Sequence, residues 1–517
     1  MKINQIDNFG KLKVKTESNN FGVLKTIIVL LLIAIQGGVL AFTYLYILVL
    51  FKWYFALSIL LTIVACVNVL SSDYYGQAKA TWILFLLVSL GFGYFIYLMS
   101  DKRFLFAKAR KKYNRIFQNI VGLQMKNKLN DCASVETKAN CNYLYNVGNF
   151  VSHCDSKIKY FQSGNEFFDE IINEISAATE FVFMEFYTIS NGILLDKIFE
   201  ILKKKVEDGV DVRVIYDDMG SHGTLKRKTK KEILASGIKL IEFNRLVPIF
   251  NIALNLRDHR KIVIVDGKVS FTGGANLSDE YINEKQIHGY WKDCGIKIIG
   301  RATDNLTISF LVQWQFLTSE NIDYKLYIAK SQIFNGGGII VPFVSGPNYK
   351  YSISRDVYIN LISNADKKLY IMTPYFIPDE TIVNLIINKV RSGVDVRIIL
   401  PDIADKKFVY IVSRNNAEKL IDCGVKLFTM TNGFVHAKVV MNEKECVVGS
   451  INMDLRSFYQ QFESAVYTND EKVLKDVNID FDNTINLSRE ICCADKKRNK
   501  LTYRVLAGVL NLISPFM

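Results

Sequence analysis

Two short strings carry residue types suited to chemistry at phosphorus: His259-Arg260-Lys261 followed by Asp266, and His436-Ala437-Lys438 followed by Glu443. In each, a His and a Lys stand two residues apart in a β-branched run, so on a strand both side chains face the same way. Brought together, the two copies supply two imidazoles and two ammonium groups. One imidazole can attack phosphorus while the other protonates a departing alkoxide, and the ammonium groups form a cationic cradle for a phosphate.

The strings belong to a longer repeat. Gly273-Gly274-Ala275-Asn276 follows the first copy and Gly449-Ser450-Ile451-Asn452 the second. Upstream, Gly209-Val210-Asp211-Val212-Arg213-Val214-Ile215 recurs 184 residues later as Gly393-Val394-Asp395-Val396-Arg397-Ile398-Ile399, and Met184 to Tyr187 is echoed by Met372 to Tyr375. The copies of the His are 177 residues apart, so the loops of a duplicated domain have drifted. From His to Gly the second copy is one residue shorter, 13 against 14, and its acid is Glu443 rather than Asp.

The paired His-x-Lys-x4-Asp strings resemble the phospholipase D superfamily, and the surrounding residues resemble its bacterial cardiolipin synthases. Those residues are Ser345-Gly346-Pro347, Thr373 to Glu380, Asn432-Gly433-Phe434, Asn452 to Phe458 and, in the first half, Gly289-Tyr290-Trp291-Lys292-Asp293. The resemblance covers nearly the whole chain. It implies an α/β architecture of two duplicated α-β-α domains about a pseudo-twofold axis, with both His-x-Lys strings facing one another. It also implies a covalent phosphohistidine, resolved by an incoming alcohol. Lys261, Lys438, Asn276 and Asn452 would hold the phosphate oxygens. Asp293 and Glu463 would orient the imidazoles, fixing tautomer and basicity. Asp266 and Glu443 complete the motifs and are counted with the catalytic residues, although the superfamily acid is thought to be mainly structural. Which His attacks first is open; analogy with enzymes that use the first-half residue favours His259.

No cofactor or metal is expected. The five histidines are 153, 222, 259, 288 and 436, and no His or carboxylate cluster has ligand spacing. His222, in Gly220-Ser221-His222-Gly223, reads as a turn residue, and His288 as a residue that could line the entry. Tyr187 and Tyr375 read as core or pocket wall. The nine cysteines fit no zinc pattern and read as reduced thiols.

The elements that must position these groups alternate. Phe181 to Tyr187 reads as a strand, Leu194 to Glu207 as a helix ending before Gly209, and Val210 to Tyr216 as a strand. The second half repeats the order with strands near Leu369, Val394 and Val439. A β, α, β order implies a parallel or mixed sheet covered by helices. The divisions expected are a basic tail over 1–25, two or three transmembrane helices over 26–100, a basic linker over 101–150, the first domain over 151–330, a linker over 331–345, the second domain over 346–490 and a basic amphipathic tail over 491–517.

At 517 residues and 50% hydrophobic content, the chain concentrates its apolar excess at one end. Residues 26–50 are an uncharged run of 25, long enough to span a bilayer of roughly 30 Å, and runs from Trp53 to Leu70 and Trp82 to Met99 follow. Three successive runs argue against a signal peptide. Seven Lys or Arg residues between Lys102 and Arg115 place the following domains in the cytoplasm, whereas Lys2, Lys11, Lys13, Lys15 and Lys25 also favour the inside; three spans cannot satisfy both. A multi-pass protein of a bacterial cell membrane is expected.

The net charge of +13 suits anionic phospholipid more than nucleic acid, given the apolar runs. Lys496-Lys497-Arg498-Asn499-Lys500 before Val505 to Leu510 reads as a basic amphipathic helix on that surface or a simple packing helix. Three functions compete. The first is transfer of a phosphatidyl group between two phosphatidylglycerol molecules, giving cardiolipin and glycerol. The second is phospholipase D-type hydrolysis through the same intermediate, and the third a non-catalytic membrane scaffold.

Overall fold

Runs rich in β-branched and aromatic residues, such as Phe181–Phe186 and Lys261–Val265, form central strands buried on both faces, as expected for a sheet layered between helices. The computed structural model describes residues 31, 34–46, 52–72, 74–100, 107–123, 134–246, 256–334 and 337–514. In the first half seven strands lie in the order Ser156–Phe161, Gly295–Gly300, Val269–Gly273, Lys261–Val265, Phe181–Phe186, Asp211–Asp217 and Lys239–Phe243. The last three are mutually parallel and the others antiparallel.

The second half repeats this order: Ile340–Ser345, Gln461–Thr468, Cys446–Gly449, Val439–Asn442, Lys368–Met372, Asp395–Pro401 and Lys426–Met430, with Ser488–Glu490 added at the edge. The fold is therefore a duplicated α/β unit. Helices cross between the parallel strands for local reasons. Ser163 caps Gly164–Ala177 by accepting the Glu166 N–H, and Phe167, Phe168, Ile171, Ile172 and Ile175 bury one face. Asp379 caps Glu380–Arg391 in the same way, while Lys389 and Arg391 sit at its carboxyl end.

The segment expected as a linker over 101–150 instead contributes two packed helices. Ala107–Ile120 buries Tyr113, Ile116 and Ile120 in the core, and Val135–Gly148 buries Cys141 and Leu144. Their polar composition hides a narrow apolar stripe. The linker expected over 331–345 likewise ends in the strand Ile340–Ser345.

Over residues 26–100 the expectation of successive spans meets a different arrangement. Among the described residues no helix is long and apolar enough to cross a membrane, and residues 26–30, 32–33 and 47–51 lie outside them. The third apolar run is split at Leu90, whose φ of 47° lies in the left-handed region, into Gly76–Ser89 and Gly91–Ser100. Neither piece approaches the roughly 20 residues a span requires. These helices pack with Lys52–Leu70 through Ala65, Val69, Trp82, Leu86 and Tyr97, yet leave many large apolar side chains exposed. The tail expected as an amphipathic helix contains Leu501–Leu512, docked through Ala507 and Leu510.

Candidate active site

Each half sends a short strand into the other beside its histidine. Arg257–Asp258 pairs with Gln461 and Phe462, and the His259 N–H then donates to the Phe462 carbonyl at 2.8 Å. Reciprocally, Gly433–Val435 pairs with Tyr290–Lys292, and the His436 N–H donates to the Lys292 carbonyl at 2.7 Å. Each His is thus pinned by its backbone to the residue just before an acid. That acid is the one its ring meets.

The ring pairs therefore cross between halves. His259 Nδ1 lies 3.0 and 3.1 Å from the two carboxylate oxygens of Glu463, and His436 Nδ1 lies 2.6 Å from Asp293 Oδ2. All four side chains are buried. A carboxyl group at Nδ1 favours the tautomer whose proton sits there, freeing Nε2 to attack or to pass a proton.

The charged groups are strongly perturbed. Burial, reinforced by Lys261 and Lys438, holds the His259 imidazole well below its ordinary range. Burial and Lys438 bring His436 down to about 4, with Asp293 opposing. Burial lowers Lys261 to about 7 and Lys438 to about 8. The two acids diverge. Burial pushes Glu463 up to about 8 despite Lys261 and a hydrogen bond from the Ser450 hydroxyl. At Asp293 burial acts the same way, but His436, Lys438 and the Cys294 N–H outweigh it and hold the carboxyl below its usual value. Such a set of depressed bases beside crossed acids fits nucleophilic and acid–base work.

The other expected site residues divide. Asn276 borders the site, with its amide oxygen accepting from Thr188 N–H and its amide nitrogen donating to the Tyr281 hydroxyl. Asn452 is buried, and its Oδ1 has no hydrogen-bond partner among the described residues. Asp266 and Glu443 are not brought to the imidazoles. Asp266 accepts the backbone N–H groups of Thr179, Glu180 and Phe181, and Glu443 those of Asp366, Lys367 and Lys368. Both acids fasten the start of a central strand. Tyr187 stands edge-on to His259 at 5.1 Å, as pocket wall. His288 is one ring removed from His436, behind Trp291 and Phe434, while His222 lies in a turn with its N–H bonded to the Met219 carbonyl. Among the described residues no group of three or more His, Cys, Asp or Glu could hold a metal ion.

Comparison with known proteins bears on this geometry. The family model for the cardiolipin synthase phospholipase D-like domain matches twice, over residues 171–286 and 358–485. A cardiolipin synthase of Staphylococcus aureus (strain Mu50) is 33% identical over 458 residues, covering 84% of this chain and 90% of that protein. The chain belongs to the cardiolipin synthase family of the phospholipase D superfamily. Membership makes it an enzyme, a phospholipid phosphatidyltransferase. A Streptococcus mutans serotype c protein of uncharacterised function is 36% identical over 379 residues, covering 72% of this chain and 82% of that one. In fold alone, the crystal structure of a phosphatidylserine synthase from Haemophilus influenzae Rd KW20 matches with a TM-score of 0.55 at 16% identity, covering 74% of this chain and 98% of that chain.

Within this cardiolipin synthase family member, the structure adds residues that the motifs did not flag. Ser450 bonds Glu463, whereas the corresponding first-half residue is Gly274, where a side chain would collide with Asp293. Behind His259, Arg260 makes a two-pronged bond to Asp258 at 2.9 and 2.7 Å and reaches Glu185 at 2.8 Å; the equivalent second-half position is Ala437. The small residue in the one string and the Arg in the other were the only signals of this asymmetry.

Proposed function

We propose that the chain joins two phosphatidylglycerol molecules into cardiolipin and releases glycerol, through a phosphohistidine. The observation that supports this reading most is the crossed pair of His–acid contacts, which sets two imidazoles with unlike partners about one cationic centre. His259 Nε2 attacks phosphorus, and the bond to the glycerol oxygen breaks as that oxygen takes a proton from His436. A hydroxyl of the second phosphatidylglycerol then attacks phosphorus, its proton returns to His436, and the P–N bond breaks. Lys261 and Lys438, with Asn276 and Asn452, neutralise the non-bridging oxygens. An anionic phosphate between depressed imidazoles raises their proton affinity, so substrate arrival itself favours the charged form of His436.

The exposed apolar surface of residues 52–100 and the basic residues 102–115 support membrane insertion, with both halves on the cytoplasmic side. The test is direct. Full-length protein is given phosphatidylglycerol in detergent and the lipids are separated. Cardiolipin with free glycerol is the expected outcome, absent in His259→Ala; phosphatidic acid with glycerol would replace transfer by hydrolysis.

A further inference from the structure

On the side of the His259 strand turned away from the imidazoles lies a cavity of about 270 Å³. Tyr113, Phe243, Leu256, Phe316, Leu317 and Phe462 give it mostly apolar walls, and Arg110 stands among them. Two aromatic pairs frame it: Phe243 is edge-on to Phe462 at 5.5 Å, and the Tyr113 and Phe316 rings are 6.0 Å apart. Alternation along the exchanged strands fixes its side. Neighbours on an extended chain point to opposite faces, so Phe462 and Arg260 turn away from the site that Glu463 and His259 face. The Arg260 guanidinium accordingly lies over the Phe462 ring, 5.3 Å from its centre. The pairing of Arg257–Asp258 with Gln461 and Phe462 therefore separates the cavity from the imidazoles.

Protein interiors leave few voids larger than a water molecule, and an apolar void of this size stays dry and takes apolar matter. The volume lies just below the range of about 300–1,000 Å³ that small-molecule pockets occupy, so it has room for part of one alkyl chain. Its mouth is cationic. Arg110 also lines an open depression with Lys111, Asn114, Arg115 and Gln118, all exposed along Ala107–Ile120. An apolar cavity beside an exposed cationic surface complements the two parts of an anionic phospholipid, its chain and its phosphate. The position suits a lipid too. Ala107 follows Ser100, the end of the apolar helices, by seven residues, which at about 3.5 Å per residue keeps the two within about 25 Å.

We propose that this cavity takes one acyl chain of an anionic phospholipid that does not itself react, with the headgroup phosphate at Arg110. The strand pair in between keeps that chain apart from the reacting phosphorus, so the lipid is an accessory ligand and not the donor or the acceptor. Its chain rests against Phe462. The carbonyl of that residue accepts the His259 N–H, and the next residue, Glu463, meets the His259 ring. The bound chain therefore packs against the backbone that holds the imidazole.

The test is photolabelling of the full-length protein in detergent micelles by a phosphatidic acid with a diazirine on one acyl chain, read by peptide mass spectrometry. Phosphatidic acid is anionic and has no headgroup alcohol to release, so the label reports binding whether or not the protein makes cardiolipin. Label is expected on the peptides that hold Tyr113, Phe316 and Leu317, and much less of it from a diacylglycerol bearing the same chain. Ala109 is half-buried and lines the cavity, so Ala109→Trp fills it from the helix side. That variant should lower the label by about ten-fold or more, and Arg110→Glu by about five-fold or more, at unchanged melting temperature. Leu317→Trp fills the cavity from the opposite wall and should act alike if Ala109→Trp melts early. No label on these peptides, label confined to those of Tyr281 and Trp291 beside His436, or label undiminished in the filled variants overturns the accessory site. Equal labelling by the diacylglycerol overturns the role of the anionic headgroup.

Discussion

The two imidazoles are alike in sequence and unlike in surroundings. Asp293 is held ionised against His436, whereas Glu463, raised to about 8, is largely neutral at pH 7 beside His259. A fixed negative charge stabilises imidazolium, which on the proposed mechanism favours His436 as the proton carrier and His259 as the nucleophile. Asp293→Asn should therefore cut turnover by about 100- to 10,000-fold, and Glu463→Gln by about 10- to 100-fold, with thermal melting unchanged. Single-turnover trapping of phosphatidyl-enzyme separates the two effects: wild-type turnover in either variant would remove that acid from the site. The lysines set the pH response. Each is charged below its lowered value, about 7 for Lys261 and about 8 for Lys438, and neutral above it. Attraction for phosphate is thus present at lower pH and lost as pH rises through 7 to 8, while ionisation of Glu463 acts in the same direction. A profile of kcat/KM from pH 5.5 to 9.5 is expected to fall on its alkaline limb, within about a unit of those values. A profile flat to pH 9.5 would contradict the depressed lysines.

At the scale of elements, the one-residue contraction in the second motif resolves into a turn. Asp266-Gly267-Lys268 joins Lys261–Val265 to Val269–Gly273, with Asp266 and Gly267 at φ of 53° and 63°. In the second half Asn442 and Glu445 close around only Glu443 and Lys444. The longer Glu side chain still reaches three successive backbone N–H groups, as Asp266 does. Asp266→Asn and Glu443→Gln should each cost about 1–3 kcal/mol in denaturant unfolding and spare the specific activity of the folded fraction. A selective loss of activity at full stability would return these acids to the reaction. The duplication and the strands bearing His259 and His436 were legible because residue order and alternation are local. The crossing of the acids was not, since the ring partners lie 204 and 143 residues apart and meet only through strands exchanged between halves. Nor was the split at Leu90, because Leu is no helix breaker. Tyr113, Ile116 and Ile120 were hidden by the lysines and arginines around them.

At the scale of the molecule, the helix Gly76–Ser89 meets the helix Leu501–Leu512. Gln77 donates to the Asn511 carbonyl at 2.7 Å and Thr81 to the Leu512 carbonyl at 2.6 Å, while Leu510 is buried against Ile377, Val412 and Leu455. The other side of Leu501–Leu512 exposes Leu501, Val505, Leu506 and Val509, near the exposed apolar residues of Gly76–Ser89. The packing-helix and membrane-helix readings of the C-terminus are therefore compatible: one face docks and the other is free for lipid. Apolar area of that extent on a single side marks an interaction surface, and the basic residues from 496 to 500 beside it suit anionic headgroups. Val505→Glu with Val509→Glu removes apolar area without touching the docked face. The double variant should keep the wild-type melting temperature and lose a measurable share of the protein that co-sediments with phosphatidylglycerol vesicles at high salt, where charge attraction is screened and apolar insertion persists. Equal sedimentation would show that this face does not enter the bilayer, whereas a large fall in melting temperature would show that it packs against protein.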